Sequence, residues 1–162
     1  MRIDDARDSD LPDILAITNG VIRSTNAIWR DEPVSFEDRR DWWHARRDAG
    51  FPVLVARVPG VVGFASYGPF RGEPGYRFTV EHSVHVAAPA RGRGVGRGLL
   101  EALIARARED GLHRMVAGID AEAQVSLALH ARLGFVEAGR LSEVGRKGDG
   151  WRDLVFMARA LD

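Results

Sequence analysis

The chain contains no cysteine. That absence removes disulfides, thiolate metal ligands and a cysteine nucleophile together, so an acyl-cysteine route is excluded, and it fits a reducing compartment. Net charge is missing too, because 23 Lys and Arg balance 23 Asp and Glu. A neutral molecule offers no overall field to gather nucleic acid or an anionic membrane, so any basic site must be local. Long apolar runs are absent: none approaches the roughly 18 residues of a membrane helix, and Met1-Arg2-Ile3-Asp4-Asp5 lacks the apolar stretch of a signal peptide. The expected location is the cytoplasm. No repeat, low-complexity tract or long Pro/Gly/Ser linker divides the chain. Its 162 residues, 45% hydrophobic and 28% charged, are expected to form one domain over residues 1–162 with a core of its own.

Periodicity supplies the elements. A short strand is expected near Arg2 to Asp4. Leu11, Ile14, Leu15, Thr18, Val21 and Ile22 then recur at helical spacing, with Ser9 and Asp10 as candidate caps. Ser35-Phe36-Glu37-Asp38 has capping-box character, and Gly50 is placed to stop the helix that follows. Phe51–Val58 and Val61–Tyr67 flank Pro59-Gly60 as a hairpin, and a strand is expected over Tyr76–Val86. Val95, Leu99, Leu100, Leu103, Ile104 and Ala107 form one apolar stripe that ends at Gly111. Met115, Val116 and Ile119 mark a strand, Ser126–Leu133 a short helix closed by Gly134, and Phe135–Leu141 and Leu154–Ala160 the last two strands. The order β-α-α-β-β-β-α-β-α-β-β describes an α/β domain with a mixed sheet.

The densest signal is Arg91-Gly92-Arg93-Gly94-Val95-Gly96-Arg97-Gly98, between a strand and the best helix. Glycines let backbone N–H groups approach a ligand closely, and the helix presents its unpaired amides and positive dipole end. Together they describe an anion cradle. A nucleotide P-loop would need a lysine and a hydroxyl that are missing, and a dinucleotide G-x-G-x-x-G would place its third glycine on Arg97 or Leu99.

What fits is R-x-x-G-x-G, as Arg91, Gly94 and Gly96. Here the chain resembles the GCN5-related N-acetyltransferase (GNAT) superfamily, whose pyrophosphate loop has the form Q/R-x-x-G-x-G/A. The flanks extend the resemblance to the phosphinothricin and methionine sulfoximine/sulfone acetyltransferase branch: Thr25-Asn26-Ala27-Ile28-Trp29, Tyr67-Gly68-Pro69-Phe70-Arg71, Thr79-Val80-Glu81-His82-Ser83-Val84, Leu129-His130, Leu133-Gly134-Phe135 and Trp151-Arg152-Asp153. The resemblance implies the GNAT fold, a mixed and mostly antiparallel sheet flanked by helices. It also implies acetyl-CoA as co-substrate, a small amino-acid-like amine as acceptor, and a homodimer.

Strand alternation puts Thr79, Glu81, Ser83 and His85 on one face and Phe78, Val80, His82, Val84 and Val86 on the other. A carboxylate in the middle of such a run is either half of an ion pair or the base that strips a proton from an ammonium acceptor before it attacks a thioester. Partial burial would raise its proton affinity toward that task, and the resemblance implies the same role for Glu81, directly or through water. By the resemblance, Val84, His85 and Val86 pair with the pantetheine arm, and a strand N–H meets the charge that grows on the carbonyl oxygen. Arg91, Gly92, Arg93, Gly94, Val95, Gly96 and Arg97 hold the pyrophosphate, and Ser126 touches the coenzyme. His85 stands where the branch has tyrosine and is the candidate acid for the departing thiolate. Arg71, Gly72 and Glu73 in a loop, with Glu81, His82 and Ser83 on the strand, are the substrate-binding candidates, since the planar fork of Arg71 suits a carboxylate or a phosphinate. Trp29 and Phe70 are possible pocket walls. Ala123 replaces an asparagine of the branch, which moves one polar contact to Gln124 or removes it. His130 is assigned to packing rather than to the site.

No metal site is expected: His82 and His85 point to opposite faces, and there is no H-E-x-x-H. Two other functions stay open, a protein N-terminal acetyltransferase and a noncatalytic acyl-CoA-binding module. A nucleic-acid role for Arg91, Arg93 and Arg97 is opposed by the zero net charge.

Overall fold

Leu11, Ile14, Thr18, Val21 and Ile22 become the buried face of helix α1 (Leu11–Ser24) in the computed structural model, which describes residues 1–162. Asp10 stands at the N-cap position but does not cap through its side chain. Its carboxylate instead takes both arms of Arg57 at 2.8 Å and the Arg7 N–H at 2.8 Å, tying the helix start to strand β2 (Val53–Arg57). Helix α2 (Phe36–Asp48) has the expected box, with Asp38 at its third position. The Asp38 N–H donates to the Ser35 hydroxyl at 3.1 Å, and the Ser35 N–H donates back to the Asp38 carboxylate at 3.3 Å.

With β1 (Arg2–Asp5), β3 (Val61–Pro69), β4 (Thr79–Val86), β5 (Arg114–Asp120), β6 (Val136–Lys147) and β7 (Gly150–Ala160), one seven-stranded sheet forms in the order β1-β2-β3-β4-β5-β7-β6. Only the β4–β5 pair is parallel. Helices α1 and α2 cover one face over Val53, Val55 and Phe64. The other face is covered by α3 (Val95–Glu109), whose Leu99, Leu100, Leu103 and Ile104 are buried, and by α4 (Gln124–Arg132). This is the expected order of elements and the expected α/β class.

Most boundaries differ from expectation by one or two residues, as where α4 starts at Gln124 instead of Ser126, and in two places they differ by more. The strand expected from Tyr76 starts at Thr79, because Pro74–Tyr76 makes a 3-10 turn. The last two strands are longer than expected, reaching Lys147 and starting at Gly150, around a tight turn in which Gly148 has φ 56°. Their distal arms are largely exposed and mostly polar, with Val144 and Trp151 too isolated to make an apolar alternation. No helix is long and apolar enough to cross a membrane.

The feature that positions the site is a splay. Strands β4 and β5 pair only at Thr79–Arg114, Val80–Met115 and Glu81–Val116. Beyond Glu81, β4 continues to Val86 against β3, while β5 continues to Asp120 against β7. The wedge between them bares the β5-facing main-chain edge of β4.

Candidate active site

At the mouth of the wedge the glycine-rich loop turns into α3. Gly92 and Gly94 have φ 73° and 79°, left-handed values that a side chain resists, and Gly94 is the N-cap. The first helical hydrogen bond runs from Gly98 N–H to Gly94 O at 3.0 Å, so the amides of Val95, Gly96 and Arg97 have no partner inside the helix. A Cβ on Gly96 would lie 3.6 Å from Val86 Cγ2 and 3.7 Å from Leu129 Cδ2, which puts the cradle against the end of β4 and against α4. Arg91 donates from Nε to Val86 O at 3.1 Å, fastening loop to strand. The Arg97 guanidinium is bound to Glu101 at 2.8 Å, so Arg97 offers the cradle its amide rather than its charge. Ser126 lies in the first turn of α4, the helix that meets the cradle through Leu129. Ala123 supplies no side-chain cap there, and Gln124 turns back to donate to Ala121 O at 3.0 Å.

Glu81 sits where the strands part. Its carboxylate leans over β5: a Cβ on Gly118 would stand 3.0 Å from Glu81 Oε1, 3.5 Å from Leu154 Cδ1 and 3.9 Å from Phe156 Cε1. Glycine at 118 therefore leaves the space that the acid fills. Glu81 is half-buried and makes no ion pair; burial raises its pKa above the usual 4.5, and the charge of Arg71 pulls it partly back. Arg71, Gly72 and Glu73 lie in the exposed β3–β4 loop, with the Arg71 guanidinium 5.1 Å over Phe70. Phe70 in turn meets Tyr76 at 5.9 Å and Phe156 at 6.5 Å, both edge-on. Acid, cation and an aromatic wall are thereby gathered on the α1/α2 face, and Ser83 shares that face one step along β4.

The two histidines of β4 turn to opposite faces. His82, a substrate-binding candidate, turns its ring to the expected α3/α4 face, where it stacks on His130 at 5.1 Å with Nε2 to Nε2 at 3.2 Å. His130 Nδ1 donates to Ser126 O at 2.7 Å, and burial drives the His82 pKa down to about 3, so the pair is neutral. Only the main chain of His82 can reach the acceptor side. His85 does lie on the face of Glu81, yet its ring packs on Phe64 at 5.3 Å, and burial, with Arg39 and Arg91 nearby, lowers its pKa to about 4. It is half-buried and, with so low a proton affinity, neutral at pH 7, where it holds no imidazolium proton to hand to a thiolate.

The family model for the acetyltransferase (GNAT) family matches residues 15–135. The chain belongs to the GNAT family. It is similar to the L-methionine sulfoximine/L-methionine sulfone acetyltransferase of Pseudomonas paraeruginosa, 49% identical over 99% of this chain and 94% of that one. An acetyltransferase of Salmonella typhimurium, solved with its cofactor acetyl-CoA, superposes with a TM-score of 0.96 at 44% identity, covering 100% of this chain and 94% of that one. A ribosomal-protein-alanine N-acetyltransferase of Brucella melitensis superposes with a TM-score of 0.97 at 48% identity, covering 99% of both chains.

As a GNAT enzyme the chain is an acetyl-CoA-dependent N-acetyltransferase, with acetyl-CoA as co-substrate. The residues present fit that molecule. Left-handed glycines and free first-turn amides suit a diphosphate, and the bare edge of β4 suits an amide-bearing arm. No group of three or more His, Asp or Glu is placed to hold a metal ion. The cradle can be tested without chemistry. Gly94→Ala forces a side chain into the left-handed region, which costs roughly 1–2 kcal/mol and turns the first amides away. Calorimetry should show acetyl-CoA binding weakened by about tenfold or more, with melting shifted by only a few degrees.

Sequence reading missed the residues that this GNAT site draws from distant segments. Gly118, Phe156 and Tyr76 meet Glu81 and Phe70 through tertiary packing. The Trp29 indole donates to Asp120 Oδ2 at 2.8 Å, while Arg152 holds the same carboxylate at 2.7 and 2.8 Å. The Trp29 ring fills the space that a side chain on Gly145 would need. Lys147 Nζ, which donates to Ile22 O at 2.6 Å and Ile28 O at 2.9 Å, ties down the segment that carries Trp29. Trp29 and Arg152 each lie within a segment of the resemblance, but the Asp120 that joins them does not.

Proposed function

We propose that the enzyme acetylates the α-amine of a small amino acid of the methionine sulfoximine, methionine sulfone or phosphinothricin type, with Glu81 as general base. The observation that carries this reading is a half-buried carboxylate with no cationic partner in contact, standing at the point where β4 and β5 separate. Acetyl-CoA supplies the thioester carbon that the amine attacks. Glu81 takes a proton from the ammonium, directly or through one water, and so frees the lone pair. Val84, His85 and Val86 present main-chain groups along the wedge, and an N–H among them meets the negative charge that grows on the thioester oxygen. Arg91, Gly92, Arg93, Gly94, Val95, Gly96 and Arg97 hold the diphosphate, with Ser126 beside them. Arg71 receives the α-carboxylate, and Gly72, Glu73 and Ser83 complete the acceptor contacts. The tetrahedral adduct then collapses by breaking its C–S bond, and the coenzyme leaves as a thiolate that takes up the proton lost from the acetylated nitrogen, directly or through water; His85, neutral at pH 7, is not the acid of that step.

A homodimer acting in the cytoplasm, where acetyl-CoA is supplied, completes the proposal. What supports the dimer is β6, an edge strand with Val136, Leu141 and Val144 exposed, and Trp151 exposed on β7 beside it. A thiol-release assay tests the activity: methionine sulfoximine, methionine sulfone or phosphinothricin should outpace short peptides in kcat/KM. The likeness to the Brucella structure favours a second reading, a peptide N-terminus as acceptor. Faster turnover of an alanine-led peptide than of any free amino acid would establish that reading instead.

A further inference from the structure

The chain buries three guanidinium Nε atoms without a hydrogen-bond partner, those of Arg39, Arg46 and Arg159. Arg159 lies on β7 across from Met115, on the α3 side. Arg39 and Arg46 both belong to α2, on the side of Glu81. They stand three residues before and four residues after Trp42, on one face of the helix, with guanidinium carbons 4.6 and 5.9 Å from the Trp42 ring. Trp42 meets Phe64 edge-on at 6.1 Å, and Phe64 meets His85, so the stripe is continuous with the face of the active strand.

Arg46 reaches furthest. Its guanidinium fills the space that a side chain at residue 68 would occupy, and Gly68 is the cross-strand partner of Glu81. Directly opposed residues of an antiparallel pair share a face with Cβ positions about 5 Å apart, so Arg46 covers the β3 side of the strand position that carries Glu81, while the Glu81 carboxylate itself leans away over Gly118. Neither Arg46 nor Arg39 has a carboxylate within 4 Å or donates a side-chain hydrogen bond, whereas Arg57 and Arg152 are each held by two acids. Burial lowers the pKa of Arg46, and nothing charged offsets it. An unpaired guanidinium is costly to enclose, and stacking on Trp42 returns only part of that cost.

Two cations thus stand on the Glu81 face of the sheet, and only one of them is felt by the acid. The charge of Arg71 is felt at Glu81, and an α-carboxylate is separated from the reacting amine by a single carbon, so Arg71 is within range of it. Arg46 lies on the other side, since Glu81 leans toward β5 while Arg46 covers β3. We propose that Arg46, steadied by Trp42 and backed by Arg39, binds the oxygens at the far end of the acceptor's side chain. A tetrahedral sulfur or phosphorus centre bearing two oxygens suits a planar fork of N–H donors. The inference rests on the amino-acid reading given under Proposed function and adds the residue that selects among amino acids.

The test compares kcat/KM for methionine sulfone and phosphinothricin with that for methionine, which has a bare sulfur at the same place; competitive Ki replaces kcat/KM wherever turnover is undetectable. Arg46→Met keeps the stem and removes the donors. The sulfone-to-methionine and phosphinothricin-to-methionine ratios should each fall about 10- to 100-fold. Gly68→Ala places a methyl group where the guanidinium sits and should lower both ratios in the same direction without removing a charge. If the ratios stay within twofold of wild type while all substrates decline together, Arg46 only packs the face and the inference is overturned, with the activity standing. A wild type that does not favour the oxygenated side chains overturns it equally. A wild type that binds acetyl-CoA yet neither acetylates nor binds any amino acid removes the amino-acid reading itself.

Discussion

Glu81→Gln should lower kcat by about 10²- to 10⁴-fold, the usual worth of a positioned base, while acetyl-CoA still binds. The amide keeps the shape of the side chain over Gly118 and loses only the ability to accept a proton. In the wild type the acid limb of kcat/KM against pH should lie above 4.5, because burial raises the Glu81 pKa. The sign is that of a base: activity is present above the raised pKa and is lost as pH falls through it. The limb should vanish in Glu81→Gln. It should move to still higher pH in Arg71→Met, because Arg71 is the charge that holds the carboxyl down. Rates from pH 5 to 9, with a slowly reacting acceptor so that chemistry limits turnover, would check all three. A Gln variant with wild-type kcat and an unchanged limb would remove the base assignment and leave the cradle untouched.

How much of this could be read from sequence follows from how local each feature is. The cradle was legible because left-handed turns demand glycine and because the helix behind it carries an unbroken apolar stripe; every determinant lies between Arg91 and Ala107. Glu81 stood out because strand alternation is a period of two, and an acid within it needs an explanation. His82 misled for a related reason. Alternation placed it correctly on the opposite face from Glu81, and its place in the motif then suggested a contact that its ring, turned to His130 at a separation of 48 positions in the chain, does not make. The distal arms of β6 and β7 escaped because an exposed ribbon buries little and has no apolar period to show. Gly118, Arg46 and Phe156 were invisible for a deeper reason. A glycine that makes room for another residue's side chain looks like any strand glycine, and a guanidinium over Trp42 looks like any surface charge on a basic helix, until the sheet brings their partners alongside.

Asp120, buried at the meeting point of Trp29 and Arg152, is a residue whose loss should cost much stability. Its side chain is almost wholly buried, and burial alone would push its carboxyl upward. Hydrogen bonds from Arg152, from the Glu122 N–H at 2.9 Å and from the Trp29 indole outweigh that and hold it below the usual 3.8. Asp120→Ala leaves the largely buried Arg152 with only the exposed Glu122 and leaves the Trp29 indole N–H without its acceptor. Breaking one side of a buried charge pair typically costs about 3–5 kcal/mol, which for a chain of this length lowers Tm by roughly 10 °C. Because the folded pKa is depressed, the stabilisation is fully present above 3.8 and is lost as pH falls toward the folded value. The gap in Tm between wild type and variant should therefore be wide at pH 7 and should narrow below 3.8. Removing Arg152 as well should restore part of the loss, since no uncompensated cation then remains. Calorimetric scans of the two single variants and the double variant would show it, and strictly additive losses would mean that Asp120 and Arg152 do not act as a pair.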